Sequence, residues 1–355
     1  MVPNITHHLT DLSVKMLQSV ADQPNVLISP ISAFAALAMA QHGAAGNTRA
    51  QIDAVLGSAK KITDVLTAMF LANSSEVRFA NAVCVPDEAS VNIRSCPGVD
   101  FLQIPHGADA CGIINKWISR KTDGRIPCIT DRSPQNSSLH LLSALAFKAE
   151  WAIKYASDDV YLEIFTSASG RKTETVFLHS DDETYLRDTS AHGFCKPYLG
   201  GQYAFVALVP LGISLQEAIR NLTGRRLTKI LKNRGNGRVR AAVPRFICES
   251  ETDMRDMFMQ MRITDAFTPG AADFSRLAQC TDPLWIGAFT QRTYIDLNEY
   301  GTEAIAASAL FIAMGKEEKA EVRFDRPFLY MIIDRKLNLP LFIGTVTDME
   351  QMKGN

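Results

Sequence analysis

The sequence has no apolar run long enough to cross a bilayer, which excludes a transmembrane helix on length alone. It has no excess of charge of either sign. Lys and Arg total 37 against 38 Asp and Glu, a net charge of −1, so bulk attraction to nucleic acid or to a membrane surface is excluded. It has no Cys-x-x-Cys pair. Cys84, Cys96, Cys111, Cys128, Cys195, Cys248 and Cys280 are scattered, which argues against a zinc site and for mostly reduced, buried thiols. The opening Met1–His8 lacks the basic and apolar regions of a signal peptide. Sequons at Asn4, Asn73, Asn136 and Asn221 point the other way, so the expected compartment is cytoplasmic or secreted, with the thiols favouring an intracellular one. There is no G-x-S-x-G elbow, H-E-x-x-H, P-loop or G-x-G-x-x-G, and the seven histidines, isolated apart from His7-His8, sit beside no plausible catalytic nucleophile. The expectation is a chain with no metal, no cofactor, no membrane partner and no enzymatic activity.

What is present is a mixture of helical and strand patterns. Residues 4 to 21 carry Ile5, Leu9, Leu12, Met16, Leu17 and Val20 at amphipathic helical spacing. Asn25–Ile28 reads as a short buried strand, after which Ser29-Pro30 opens a helix: serine caps the free N–H groups and proline suits the first turn. Ile31, Phe34, Leu37 and Ala38 form the buried face of that helix, and Gly43 ends it. Thr48-x-x-Gln51 predicts a capping box for the next helix, which runs to about Leu71. Val77, Phe79, Asn81, Val83 and Val85 alternate as a strand, and 113–121 is helical. Leu139–Phe147 is too continuously apolar for a solvent face and predicts a strand buried on both sides. Tyr203–Val209 is a further buried strand. Phe328–Ile333 and Leu341–Val346 predict a buried C-terminal hairpin.

One stretch organises the rest. Trp285–Leu297 ends as a half-buried strand and leads into Asn298-Glu299-Tyr300-Gly301-Thr302-Glu303-Ala304-Ile305-Ala306-Ala307-Ser308-Ala309-Leu310. Alanine favours a helix locally. At a period of two, however, Thr302, Ala304, Ala306, Ser308 and Leu310 share one face, and Glu303, Ile305, Ala307 and Ala309 the other. Side chains this small can slide between two strands. The charged segment Lys316-Glu317-Glu318-Lys319 follows.

Asn298–Ala304 with its alanine-rich run resembles the hinge of the serpins, and Val322-Arg323-Phe324-Asp325-Arg326-Pro327-Phe328 is similar to the family signature beyond the reactive loop. Further matches are Asn25–Ser32, Ile114–Ile118, Leu142–Trp151, Val243–Phe246, Met261–Phe267 and Ala272–Ser275, so the resemblance covers roughly residues 25 to 346. The short stretch between Val85 and Ile113 resembles the trimmed form of the poxviral serpins. The resemblance implies an α+β fold with three β-sheets, about seven to nine helices and an exposed reactive-centre loop near 299–320, in a single domain over 1–355. It implies a shutter under the main sheet at Ser29, Ser32 and Ser143, where most members have Asn at position 143. It places Trp151 at the upper opening of the sheet, the breach. The breach histidine of the family falls on Gln291, which puts any switch carried by that histidine in doubt.

The function implied is suicide inhibition of a protease by a monomer. The protease cuts the loop, and the hinge residues Gly301, Thr302, Glu303, Ala304, Ile305, Ala306, Ala307 and Ser308 insert as a new strand. Counting 14 residues on from Gly301 reaches Gly315, whereas counting 11 back from Pro327 reaches Lys316. Lys316-Glu317 is preferred as the cut bond, because lysine fits the pocket of a trypsin-like protease and glycine offers no side chain. Met314 is the alternative, for a chymotrypsin- or elastase-like target; a cysteine protease is a further alternative, though the lack of a nearby Asp disfavours a caspase. A non-inhibitory member acting as a carrier or chaperone is the rival class, against which the small hinge residues argue. Between Arg220 and Arg245 the chain holds basic residues and no acid, and Arg225, Arg226, Lys229 and Lys232 are candidates for a polyanion partner.

Overall fold

The computed structural model describes residues 2–57, 59–71, 76–93, 98–105, 109–131, 138–233, 237–302 and 320–352. Its chain contacts divide into two compact units. The first comprises Met1–Ile5, Ile28–Ala146 and Ser250–Tyr294; the second comprises Thr6–Leu27, Phe147–Glu249 and Ile295–Asn355.

In the first unit the strands Asp100–Ile104, Val77–Pro86, Ser138–Phe147 and Trp285–Leu297 lie side by side in that order. Ser138–Phe147 is buried at every position, as its unbroken apolar run requires. It pairs directly and in parallel with Trp285–Leu297, setting Ser143 opposite Gln291 and Ala146 opposite Tyr294. The helix Asp109–Lys121 packs on this sheet through Ile114, Trp117 and Ile118, which meet Ala80, Ala82, Leu142 and Ala144. Helix Pro30–Gly43 is buried on nearly all sides rather than along one stripe; only His42 is left partly exposed. Its apolar and small residues run all the way round, which is the composition of a helix enclosed by its neighbours.

The predicted capping box is corrected. Helix Gly46–Leu56 begins three residues before it can form, with Ala45 as an N-cap that makes no side-chain bond. Thr48 and Gln51 lie inside the helix and tie it to another segment. The Thr48 hydroxyl accepts from Asp273 N, and Gln51 Oε1 accepts from Thr264 N and Asp265 N. The helical pattern to Leu71 also breaks at Gly57, whose φ of +83° ends one helix before Ala59–Leu71 begins.

In the second unit Leu339–Val346, Phe328–Asp334, Tyr203–Pro210, Ala191–Pro197, Lys172–Arg187, Arg238–Pro244 and Ala320–Arg323 form a sheet in that order, and Val160–Thr166 pairs with Lys172–Arg187. The C-terminal hairpin is as expected, antiparallel and buried along both strands. Across the described residues there are eight α-helices and three sheets, the third being the short pair Ser90–Val91 and Ala278–Gln279.

Candidate functional site: a pinned strand seam and a preset hinge

Beneath the parallel seam, the first turn of helix Pro30–Gly43 reaches three strands. Ser29 caps the helix by accepting from Ser32 N. Its own backbone is held by one carboxamide: Ser29 N donates to Gln291 Oε1 at 2.8 Å, and Gln291 Nε2 donates to Ser29 O at 2.8 Å. The same Nε2 donates to Ser143 Oγ at 3.1 Å, across the seam. Only one orientation of the amide satisfies all three bonds. Ser32 Oγ donates to Asn81 Oδ1 at 2.5 Å and lies 3.2 Å from Ala144 O. All five side chains are buried.

Ser29, Ser32, Ser143 and Gln291 are therefore one hydrogen-bonded cluster. Gln291 belongs with them and stays uncharged at any pH. Asn81 was not anticipated as a member. Its signal was a lone carboxamide in an otherwise apolar alternating strand, which a buried position tolerates only with partners.

In the second unit the chain leaving Trp285–Leu297 turns at Asn298. The Asn298 carboxamide oxygen accepts from Tyr300 N at 3.0 Å and Gly301 N at 3.2 Å, and Asn298 N donates to Gly301 O. Gly301–Thr302 then pairs antiparallel with Leu297 on one side and with Ala149–Glu150 on the other. A Cβ at Gly301 would lie 2.1 Å from Ala149 O, so only glycine fits there. Gly301 and Thr302, the first two residues of the expected hinge, are thus already strand. Thr302 is fully buried, with its hydroxyl 2.6 Å from Tyr198 Oη.

Three successive carbonyls of this turn accept from one neighbouring segment. Trp151 Nε1 donates to Asn298 O at 2.9 Å, Tyr155 N to Glu299 O at 3.2 Å and Trp151 N to Tyr300 O at 3.0 Å. Trp151 is stacked on Tyr198, with centroids 4.5 Å apart and planes 8° apart. Burial pushes the Tyr198 phenol well up; burial and the nearby Glu183 carboxylate do the same to Tyr155, so both stay neutral. Arg245 approaches Glu299 at 3.6 Å.

Glu303, Ala304, Ile305, Ala306, Ala307 and Ser308 lie outside the described residues, as do Met314, Gly315, Lys316 and Glu317. Of the polyanion candidates, Arg225, Lys229 and Lys232 are exposed at positions i, i+4 and i+7 of helix Gly224–Lys232, opposite the buried Leu227, Ile230 and Leu231. Arg226 does not join them. Its Nε donates to Asp188 Oδ2 at 2.5 Å and its Nη2 to Asp188 Oδ1 at 3.0 Å, so it serves the fold. Among the described residues no cluster of His, Cys, Asp and Glu could hold a metal, and six cysteines are unbridged. A small apolar hollow of about 30 Å³, open to solvent, is lined by Leu208, Leu215, Ile219, Leu222, Ile230 and Leu329.

Among the described residues the three sheets, the eight α-helices and the turn from Trp285–Leu297 into the short strand Gly301–Thr302 match the serpin fold. A profile of the family described as Serpin (serine protease inhibitor) matches residues 7–349, and the chain belongs to that family. The native-state crystal structure of the thermophilic serpin Tengpin is 32% identical with a TM-score of 0.92, covering 98% of this chain and 95% of that one. Tengpin in its latent state scores 0.84 at 29% identity, covering 98% and 99%. An uncharacterized serpin-like protein of Thermococcus kodakarensis is 28% identical over 90% of this chain and 80% of its own length. Plasminogen activator inhibitor 1 of Neovison vison is 26% identical over 96% and 92%.

Proposed function

We propose that the chain is a suicide inhibitor of a trypsin-like serine protease. The serine hydroxyl of the protease attacks the Lys316 carbonyl. The bond to Glu317 breaks, the new amine leaves with Glu317, and an ester joins the protease to residues up to Lys316. The freed segment then continues the strand that Gly301–Thr302 has begun.

The single observation that carries this reading is the Leu297–Thr302 pairing. Extending its antiparallel register sets Ala304 opposite Ile295, Ala306 opposite Thr293 and Ser308 opposite Gln291. Ile295, Thr293 and Gln291 are buried, and the residues that would face with them are the small ones. Glu303, Ile305 and Ala307 would face with Asp296, Tyr294 and Arg292, which are only partly buried. To insert, the strand must separate Ser143 from Gln291 and replace their ladder with two new ones. From Thr302 to Lys316 the new strand would span roughly 46 Å at about 3.3 Å per residue, carrying the ester-linked protease that far. Such a chain is held short of its most stable state by a barrier.

The related plasminogen activator inhibitor 1 supports an inhibitory reading by its name. Incubation with trypsin, chymotrypsin and elastase, read on a denaturing gel, is expected to give a covalent band with trypsin. Clean loop cleavage is expected to raise the melting temperature sharply. An unchanged melting point after cleavage rules out insertion.

A further inference from the structure

Behind the hinge the second unit buries a charge that the sequence did not single out. Lys196 and Glu183 stand on adjacent antiparallel strands, one step from the Thr184–Cys195 pair. Lys196 Nζ is 2.5 Å from Glu183 Oε1, and the two side chains are 4% and 8% exposed. A pair this enclosed adds little stability by itself, since desolvation offsets the attraction. Its surroundings point to another role. The ammonium lies 4.4 Å from the centre of the Tyr155 ring and 5.6 Å from that of Trp151. Trp151 and Tyr155 are the residues whose N–H groups hold the carbonyls of Asn298, Glu299 and Tyr300. Trp151 also stacks on Tyr198, whose hydroxyl holds Thr302. Tyr198 follows Lys196 by two residues, and Leu199 N and Ala152 N tie the two segments through Glu150 O and Pro197 O.

We infer that Lys196, anchored by Glu183, is a positioning residue for loop insertion, holding the Trp151–Tyr155–Tyr198 aromatic wall against which the hinge is preset. The inference rests on the insertion reading above. Without the ammonium, the wall loses the cation that fixes both ring planes, and the hinge turn loses its rigid donors. Gly301–Thr302 then frays from its two neighbours, and the next residues lack a formed strand end on which to add. Entry slows, water reaches the ester first, and the chain is consumed as a substrate. Among the described residues the ammonium is paired with Glu183 and lies against the Tyr155 and Trp151 rings, and first recognition of the protease is expected to be unchanged.

The test uses the full chain with trypsin as probe. In Lys196→Met the inhibitor consumed per trypsin trapped is expected to rise at least about twofold, with the association rate constant unchanged. Lys196→Arg, which keeps the cation, is expected to restore most of the loss. Lys196→Met leaves Glu183 buried and unpaired, so its melting point also falls; Lys196→Met with Glu183→Met removes that fault. The double variant is expected to recover the melting point but not the stoichiometry. Recovery of both overturns the inference, because the pair would then act through stability alone. So does an unchanged stoichiometry in Lys196→Met.

A second readout is independent of trapping. In a Trp117→Phe, Trp285→Phe background, Trp151 emission follows the transition after loop cleavage, and Lys196→Met is expected to slow it at least about threefold. If the wild type undergoes that transition but traps no protease, the inhibitory reading falls and this rate alone decides the role of Lys196. If no transition follows cleavage, both readings fall.

Discussion

Gln291→Leu isolates the pin beneath the seam. The substitution keeps the side-chain volume close to that of glutamine but removes three hydrogen bonds, two to Ser29 and one to Ser143. The Ser143 hydroxyl can turn elsewhere. The Ser29 N–H and C=O cannot, because Ser29 is fully buried at the mouth of helix Pro30–Gly43. Each orphaned buried group costs about 1–3 kcal/mol, so the uncut chain is expected to lose about 2–6 kcal/mol. Against a total stability of about 5–15 kcal/mol this is large. With an unfolding entropy of about 2.1 cal/mol/K per residue, a loss near 4 kcal/mol lowers the melting point of a chain this long by about 5 °C. The cut, inserted chain should suffer less, since a strand between Ser143 and Gln291 has already broken one of the three bonds. Scanning calorimetry of uncut protein and of protein cut in the loop by a protease that it does not trap, wild type and variant, measures both effects. An uncut variant that melts within about 1 °C of wild type refutes the claim that this amide pins the seam.

Three further outcomes are expected. Thr302→Arg would strain the uncut chain, because Thr302 is already buried on Tyr198. Ala304→Arg is the cleaner hinge probe: a normal melt with loss of trapping is expected, and a covalent complex at wild-type stoichiometry contradicts the hinge assignment. Lys316→Ala should weaken trypsin inhibition at least about tenfold, equivalent to about 1.4 kcal/mol, while Met314→Ala leaves it nearly unchanged; the small fragment released from the complex should begin at Glu317 on N-terminal sequencing. His140 is buried and its imidazole is held down to about 4, so the unfolded chain binds the extra proton between that value and 6.5. Stability is therefore full above pH 6.5 and falls by up to about 3 kcal/mol as the pH drops to 4; a denaturation series in which His140→Phe shows the same slope refutes it.

The sequence alone determined the strand Trp285–Leu297, because its alternation reads as half-buried, whereas the glycine and small residues after it were marked as a hinge only by their resemblance to the serpins. It determined the strand Ser138–Phe147 as doubly covered, since no solvent face tolerates so continuous an apolar run. It also marked Ser29, because capping is a local act between residues three apart. Where partners are distant in the chain, local pattern failed. Thr48 and Gln51 have capping-box spacing yet spend their bonds on Thr264, Asp265 and Asp273, and nothing within the window 48–51 could announce that. Arg226 looked like one more cation in a basic run until Asp188, 38 positions away, was brought against it. Lys196 and Glu183 are unremarkable as letters. Only the pairing of their strands, and the closure of Trp151 and Tyr155 over them, makes a buried ion pair, because desolvation and ring geometry exist only once the chain has folded.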